Sequence, residues 1–560
     1  MQKTGSEIII EELKAQGVDV TFGMPGGTIM PFYDALYGSG IRHILIRHEQ
    51  GAAMAADGYA QSTGKVGVCM ATSGPGATNL ITGLMHSLMD SSPIVALTGQ
   101  VATYMIGSDA FQEADVYGMS IPCTKYNYLV KDTADIPRVV REAFLIAKSG
   151  RPGPVLIDLP KDVQIGVAEY DPGANLESSM VQFHPPPEAD PEGIARLCEV
   201  IRKARKPVIY AGHGIILSGC SDLLRQFVQK TQIPITTTLL GLGIYPLKDP
   251  LCMGMPGMHG SHTVNYALSE CDCCIALGVR FDDRVTGDVR KFASKATICH
   301  VDIDPAEIGK RVRPHISLHA DVGQVLEALL REVEPGDYAA WREELAETNR
   351  RYPLKYDWDG TIKPQYFLEQ LYEVAGTDLI MTTGVGQHQM WTAQFYPFDK
   401  PRMWLTSGGL GAMGYGLPAA IGAQVAHPDK LVINLDGDGS FQINIQELAT
   451  ISQYRLPVKT IILNNQYLGM VRQWQEFFFE KRYSETFYTR NPDFAKVAEG
   501  FGIRGMQIKE VDQVRPVLEE ALAYDGPVVL DVFINQEENV LPMVPSGAGL
   551  MEMIEENHPG

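Results

Sequence analysis

The sequence lacks several things at once. No run of about 18 consecutive apolar residues occurs among its 560 residues, which sets a membrane-spanning helix aside. Residues 1–16, MQKTGSEIIIEELKAQ, carry no long apolar stretch of a secretory leader and read instead as an amphipathic helix. Basic residues are in deficit: 47 Lys+Arg against 67 Asp+Glu leave a net charge of −20, the wrong sign for a chain whose main partner is nucleic acid. Cysteine is sparse and irregular, nine residues at 69, 123, 198, 220, 252, 271, 273, 274 and 299. An odd number without a leader points to reduced thiols and a cytoplasmic setting. Cys271-Asp272-Cys273-Cys274 runs straight into Ile275-Ala276-Leu277-Gly278. With no second Cys pair, it reads as the start of a buried strand rather than a zinc site. Short tandem repeats and low-complexity tracts are absent too. With 45% apolar and 20% charged residues, most of the chain is not disordered. What is plentiful is glycine, 55 residues, which favours tight turns around ligands over a helical bundle.

Short apolar runs alternate with helical patterns and Gly-rich turns almost throughout. That predicts an α/β chain of three doubly wound parallel-sheet domains, and the length allows three or four at roughly 100–200 residues each. The first covers 1–165, with strands expected at 41–46, 66–71, 94–98 and 155–158. The prolines of Phe183-His184-Pro185-Pro186-Pro187-Glu188 mark an extended linker. The middle block covers 190–330, with strands at 207–210, 235–238, 274–277 and 297–303. A charged helix at 337–350 leads to the third block, 364–540, with strands at 431–435, 460–463 and 528–532. Residues 541–560 form a C-terminal tail, whose part after Pro545 reads as mobile or lid-like.

The stretch 431–465 is the most informative. An apolar strand ends in Asp436-Gly437-Asp438-Gly439-Ser440, a helix is expected over 443–453, and a second apolar strand ends in Asn464-Asn465. In one βαβ unit both polar clusters lie at the same carboxyl edge, where α/β ligands bind. A carboxylate and an amide oxygen there form a hard-oxygen site that, with diphosphate oxygens, suits Mg²⁺. Gly437 and Gly439 let the backbone approach a diphosphate. Each half alone is more often an ordinary turn. Together, GDG, 24 residues and then NN match the cofactor motif of thiamine-diphosphate enzymes. A decoy sits nearby: Gly409-Leu410-Gly411-Ala412-Met413-Gly414 fits GxGxxG, with Asp436 about 20 residues on. The segment before it, 402–407, is a poor strand with a polar end, which argues against a dinucleotide site.

In the first block, Glu49 follows a strand and opens an almost apolar helix, AAMAADGYA (52–60). Its bland role is an acid stabilised by the helix dipole. Its functional role is a hydrogen bond to N1′ of an aminopyrimidine, favouring the imino tautomer that takes the thiazolium C2 proton, so that the cofactor carries the hard chemistry. Two glycine turns, Met24-Pro25-Gly26-Gly27 and Ser73-Gly74-Pro75-Gly76, and the polar loop of Asp109 and Phe111-Gln112-Glu113 accompany it. Singly, each is more often plain loop chemistry.

On these residues the chain resembles the catalytic large subunits of the acetohydroxyacid (acetolactate) synthase family over nearly its whole length. The stretches are FGMPGG (22–27), RHEQGAAMAADGYA (47–60), TSGPGATN (72–79), SDAFQEAD (108–115), SGRPGPV (149–155), LPKDV (159–163), GVRFDDRVTG (278–287), TTGVGQHQMW (382–391), SGGLGAMGYGLPAA (407–420) and GMVRQWQ (469–475). FDDRVTG and QWQ are specific within the wider superfamily. The resemblance implies that Glu49 activates the cofactor and that Asp438, Asn465 and the Tyr467 carbonyl bind Mg²⁺. It puts Met413 under the thiazolium, and Val385, Gly386, Gln387 and His388 around the diphosphate. Pro25, Asn79, Gly411, Gly437, Gly439, Ser440 and Gly469 belong to the same cofactor shell. Phe111, Gln112 and Lys161 line the substrate channel, the Gly27 amide assists, and Trp474 favours 2-oxobutanoate as second substrate.

The middle block, by the same resemblance, carries FAD through Arg151, Gly212, His213, Gly214, Thr237, Leu239, His259, Gly278, Arg280, Asp282, Arg284, Asp302, Asp321 and Gln389. Arg280 and Arg284 suit a diphosphate, and Asp302 at a strand end suits ribose or adenine donors. The implied activity joins pyruvate to pyruvate or 2-oxobutanoate in branched-chain amino acid biosynthesis. Active sites would form at a dimer interface of a homodimer or tetramer, with a separate small regulatory subunit. Met24 and Thr28 stand where Tyr and Ala are common in the family, and Tyr467-Leu468 replaces more polar residues. The alternative is a thiamine-diphosphate and FAD pyruvate oxidase.

Overall fold

The computed structural model describes residues 1–174 and 188–556. The expected linker, Glu188 apart, lies outside them. Strands in the described chain form three parallel sheets of six, five and six strands and one two-stranded pair. The first sheet is ordered Arg42–Leu45, Val20–Gly23, Gly67–Ala71, Ile94–Gln100, Val155–Pro160, Tyr126–Leu129. The third is ordered Trp404–Thr406, Leu379–Thr383, Leu431–Gly437, Lys459–Asn464, Val528–Phe533, Arg504–Ile508. Numbered along the chain within each block, both read 2-1-3-4-6-5, so the outer blocks share one topology. The middle sheet, Ile235–Thr237, Pro207–Ala211, Cys273–Leu277, Thr297–Asp302, Ile316–His319, reads 2-1-3-4-5, a doubly wound order. Cys271, Cys273 and Cys274 are buried, and no group of three or more metal-ligating His, Cys, Asp or Glu residues occurs among the described residues.

One apolar core joins the outer blocks. It includes Ala52, Ala55, Ala56 and Tyr59 from helix Glu49–Thr63 together with Leu417, Ala420, Ile421 and Ala423 from helix Gly416–Ala426. Helices this apolar on every face must be covered on every face. Glycine lets them approach: a Cβ on Gly58 would stand 2.7 Å from the Ala419 Cα, and one on Gly422 would strike the Ala55 carbonyl.

Four local expectations are corrected. Residues 2–4 are a strand antiparallel to Val167–Glu169; the first helix begins only at Gly5, behind the reciprocal Thr4–Glu7 capping box. The helix expected over 443–453 is divided into a 3₁₀ turn, Gln442–Glu447, and an α-helix, Leu448–Tyr454. Asn444 (φ −122°) leaves helical geometry as its side chain donates to the Gly414 carbonyl at 2.7 Å. The poor strand at 402–407 still forms an edge strand, Trp404–Thr406, because it needs pairing on one side only. The tail after Pro545 is docked as far as it is described, to residue 556: Asp288 N–H donates to the Ala548 carbonyl (2.9 Å), and Leu550 is buried in the middle block's core. No helix among the described residues is long and apolar enough to cross a membrane.

Candidate active site

In each sheet the chain order reverses between the first and third strands, and ligands of doubly wound folds bind at that switch point. The glycine motifs follow those strands. In the first block they are Met24-Pro25-Gly26-Gly27 and Thr72-Ser73-Gly74; in the middle, Gly212-His213-Gly214 and Gly278-Val279-Arg280; in the third, Gly384-Val385-Gly386 and Asp438-Gly439-Ser440. Thr28 ties the first pair: its Oγ1 lies 3.0 Å from Thr72 Oγ1 and accepts Ser73 N–H at 3.0 Å.

In the third block, Leu431–Gly437 and Lys459–Asn464 pair in parallel with Gly437 opposite Leu463. Asp438 and Asn465 therefore emerge side by side. Asp438 is buried, and burial pushes its carboxyl up to about 7. A carboxylate so placed calls for a cation. Asn465 Nδ2 donates to Gln387 Oε1 at 3.1 Å, and Asn465 Oδ1 accepts Tyr467 N–H at 3.1 Å. The expected metal and diphosphate residues thus meet although 78 positions separate Asn465 from Gln387. Gly469 has no room for a Cβ, which would collide with Gln387. A Cβ on Gly437 would lie 2.7 Å from His388 Nδ1. Burial drives the His388 imidazole down to about 3, and its Nε2 has no hydrogen-bond partner. Ser440 Oγ accepts Gly414 N–H at 2.9 Å, fixing the end of the loop that bears Met413. These features fit Mg²⁺ and a diphosphate.

Glu49 opens helix Glu49–Thr63 behind the N-cap His48 and is buried. Asn79 Nδ2 donates to its Oε2 at 3.0 Å. Pro25, Gly27 and Lys161 are exposed, and a Cβ on Gly27 would meet nothing within 4 Å. Gln112, in the left-handed region at φ 60°, lies over the Gly74 turn, 2.8 Å from a Gly74 Cβ to its carbonyl oxygen. Phe111 is 88% exposed. None of these first-block residues lines the large cavity of the chain.

That cavity, about 1550 Å³, is larger than the ~300–1,000 Å³ of ordinary ligand sites. It is bounded by the carboxyl edge of the middle sheet and the third-block loops. Arg151, His213, Gly214, Leu239, His259, Gly278, Arg280, Asp282, Arg284, Asp302, Asp321 and Gln389 line it, as do Val385, Gly386, Gly411, Met413 and Trp474. Gly212 and Thr237 do not: Thr237 is buried within its strand, and Gly212 is nested against Gly278. A Cβ on Gly214 would sit 2.7 Å from the Gly278 Cα, and Gly278 itself has φ +61°. Arg151 joins two blocks, its Nη1 donating to Glu307 Oε1 at 2.9 Å and its Nε to Ser91 Oγ at 2.8 Å. Asp321 caps helix Val322–Glu332, and the Arg284 guanidinium lies 5.8 Å from the Trp474 ring. Burial pushes both His213 and His259 down to about 4. Neutral imidazoles, glycine turns and partly free arginines fit an extended dinucleotide. The GxGxxG decoy fails on topology. Its preceding strand, Trp404–Thr406, is separated from the Asp436 strand by Leu379–Thr383, so Asp436 does not lie on the neighbouring strand.

Two residues of this region, half-buried Asn491 and buried Glu447, escape sequence reading. Asn491 Nδ2 donates to both Asp438 Oδ2 (2.5 Å) and Asn464 Oδ1 (3.1 Å). Glu447 accepts the backbone N–H groups of Arg47 and His48. Neither belongs to a local motif.

Three family models match the chain: the N-terminal TPP binding domain of thiamine pyrophosphate enzymes over residues 3–119, their central domain over 194–329, and their C-terminal TPP binding domain over 384–532. Fold and site together define a thiamine-diphosphate enzyme. The chain is 49% identical over 552 residues to the acetolactate synthase isozyme 2 large subunit of Escherichia coli (strain K12), spanning 98% of this chain and 99% of that one. It is 48% identical to chloroplastic acetolactate synthase 1 of Oryza sativa subsp. japonica (99% and 88% covered). With the chloroplastic acetolactate synthase of Arabidopsis thaliana the identity is 47% (99% and 85% covered). The chain belongs to the acetolactate synthase family.

Proposed function

We propose that the chain decarboxylates pyruvate and transfers the two-carbon unit to pyruvate or 2-oxobutanoate, giving 2-acetolactate or 2-aceto-2-hydroxybutanoate for branched-chain amino acid biosynthesis, in the cytoplasm. Identity near 49% along the whole length carries this reading. Thiamine diphosphate, when bound, supplies the electron sink for loss of CO₂ and for the new carbon–carbon bond. Asp438, Asn465 and the Tyr467 carbonyl hold Mg²⁺, while Gln387 and His388, with the Val385-Gly386 turn, orient the diphosphate. Glu49, buried and oriented by Asn79, exchanges a proton with the aminopyrimidine N1′. Met413 supports the thiazolium from the loop fixed by Ser440. The middle-sheet edge would hold FAD, with Arg280 and Arg284 suited to its phosphates and Asp302 to its ribose or adenine donors. Trp474, at the cavity wall beside Arg284, sizes the second 2-oxo acid.

Glu49, Gly27, Gln112 and Lys161 complete a site only against another copy's third block. Support comes from the exposed apolar surface around them: Tyr104, Ile106, Phe111, Tyr117, Met119 and Ile121. A patch of this kind marks an association surface, here of a homodimer or a tetramer. Feedback control falls to a separate small regulatory subunit. The test is product analysis with pyruvate, thiamine diphosphate, Mg²⁺ and FAD: wild type forms 2-acetolactate and Glu49→Gln forms none. Product from Glu49→Gln at the wild-type rate would overturn the role given to Glu49.

A further inference from the structure

The turn that presents Glu49 is held by the third block of its own chain. Glu447 lies at the end of the 3₁₀ segment that begins four residues after Asp438, with no exposed surface. Its Oε1 accepts Arg47 N–H at 3.0 Å and His48 N–H at 3.1 Å. Its Oε2 accepts Thr450 Oγ1–H at 2.7 Å. The helix that follows, Leu448–Tyr454, extends the grip. Leu45 N–H donates to Tyr454 Oη at 2.8 Å, and Thr450 Oγ1 lies 3.2 Å from the Leu45 carbonyl. Arg47 Nη2 donates to Gln453 Oε1 at 2.5 Å. Gly51, on the first turn of the Glu49 helix, leaves the space: a Cβ there would stand 2.7 Å from Glu447 Oε1.

Burial pushes the Glu447 carboxyl up to about 7 against the donors from Thr450, Arg47 and His48. A carboxyl group so costly to bury, bonded to the two amides one and two residues before Glu49, fixes the backbone of this strand–helix junction. We infer that Glu447 is a positioning residue: it sets the Arg47–His48 backbone so that Glu49 meets the aminopyrimidine nitrogen. The inference rests on the role given to Glu49 above. A misplacement of ~1 Å at a reacting group costs up to about a hundredfold in rate.

Two readouts test it. Amide hydrogen exchange of the purified protein reports the clamp itself, and H/D exchange at C2 of thiamine diphosphate, bound with Mg²⁺, reports what the clamp does for Glu49. In Glu447→Ala, the Arg47 and His48 amides exchange about tenfold faster or more, and C2 exchange slows by about ten- to a hundredfold. Glu447→Gln, which keeps an oxygen facing both amides, restores both to within about threefold, the range of a neutral hydrogen bond substituted for a charged one. Gly51→Ala, which pushes the carboxylate away, changes both in the direction of Glu447→Ala. Thr450→Val gives the same reading if Glu447→Ala does not fold. Unchanged Arg47 and His48 amides in the variants would overturn the clamp, and a loosened turn with unchanged C2 exchange would overturn its purpose. Glu49→Gln separates the two claims: C2 exchange that survives it refutes the Glu49 role itself, whatever Glu447 does.

Discussion

Replacing His86 by Leu should destabilise the joined outer blocks more than any surface substitution. His86 lies on helix Ile81–Asp90, between Asp57 of the Glu49 helix and Asp90, and all three side chains are fully buried. Asp57 Oδ1 takes Gln61 Nε2 (2.7 Å), Tyr415 Oη (2.8 Å) and His86 Nε2 (3.2 Å); Oδ2 takes Ser87 Oγ (2.8 Å). Burial alone would push the Asp57 carboxyl up, yet His86 and the hydroxyl donors outweigh it and hold the group below its usual range. Burial likewise opposes charge on His86, and Asp57 outweighs it, leaving the imidazole above its usual value. Both shifts favour the charged form of each partner, which makes Asp57 and His86 a buried pair of opposite charge. Breaking a buried pair by removing one partner costs about 3–5 kcal/mol, because the other charge stays buried. At roughly 2–4 °C per kcal/mol, that is a fall of about 6–20 °C in melting temperature. Urea unfolding of wild type, His86→Leu, Asp57→Asn and the double variant gives the coupling. The double variant should recover about 1–3 kcal/mol relative to additivity. A His86→Leu cost below about 1 kcal/mol, or a double variant showing no recovery, would refute the ion-pair argument.

Other outcomes follow from the same geometry. Burial raises Asp158, Asp436, Asp438 and Glu447 to about 7 and Asp531 to about 6 in the folded chain, from ordinary carboxyl values of 3.8 or 4.5. A raised folded-state pKa gives stability that is full below the unfolded value and lost as pH rises through the folded one. The apoprotein should melt higher at pH 6 than at pH 8, as scanning calorimetry will show; equal melting temperatures would contradict this. Mg²⁺ with thiamine diphosphate should narrow the gap, since the cation favours ionised Asp438. Asn491→Ala should weaken Mg²⁺ binding, read by isothermal titration with thiamine diphosphate present, by about 10–100-fold; an unchanged affinity would exclude Asn491 from the metal's support. Trp474→Leu should erode the preference for 2-oxobutanoate over pyruvate in competition assays. One methylene supports about 10–200-fold discrimination, so a preference that survives intact would assign selection elsewhere.

The local part of this molecule is legible from its residues. The Asp438 and Asn465 clusters can be placed on one sheet edge because a βαβ unit leaves no other choice. The parallel strands at 67–71, 94–100, 155–160, 207–211, 431–437 and 459–464 announce themselves by continuous apolar runs. Some short or edge strands do not, although the edge strands at 42–45 and 235–237 do. Trp404–Thr406 has three residues, and Arg504–Ile508 carries Arg504, Gly505 and Gln507 on a half-exposed ribbon. The common 2-1-3-4-6-5 order of the outer sheets is also hidden, because pairing order resides in contacts far apart in sequence. The same holds for site residues. Glu447 acts on Arg47, 400 positions away, and Asn491 reaches Asp438 from an irregular segment 53 positions on. Neither has a neighbouring residue to give it away, and the broken helix at Asn444 follows from one long-range bond to Gly414.

The central claim is carboligation rather than oxidation, and stoichiometry tests it most directly. Purified protein with pyruvate, thiamine diphosphate, Mg²⁺ and FAD should consume two pyruvates for each CO₂ and each 2-acetolactate, with no oxygen uptake. One CO₂ and one O₂ per pyruvate, with acetate or acetyl phosphate as product, would contradict it and make the middle-sheet flavin a redox centre.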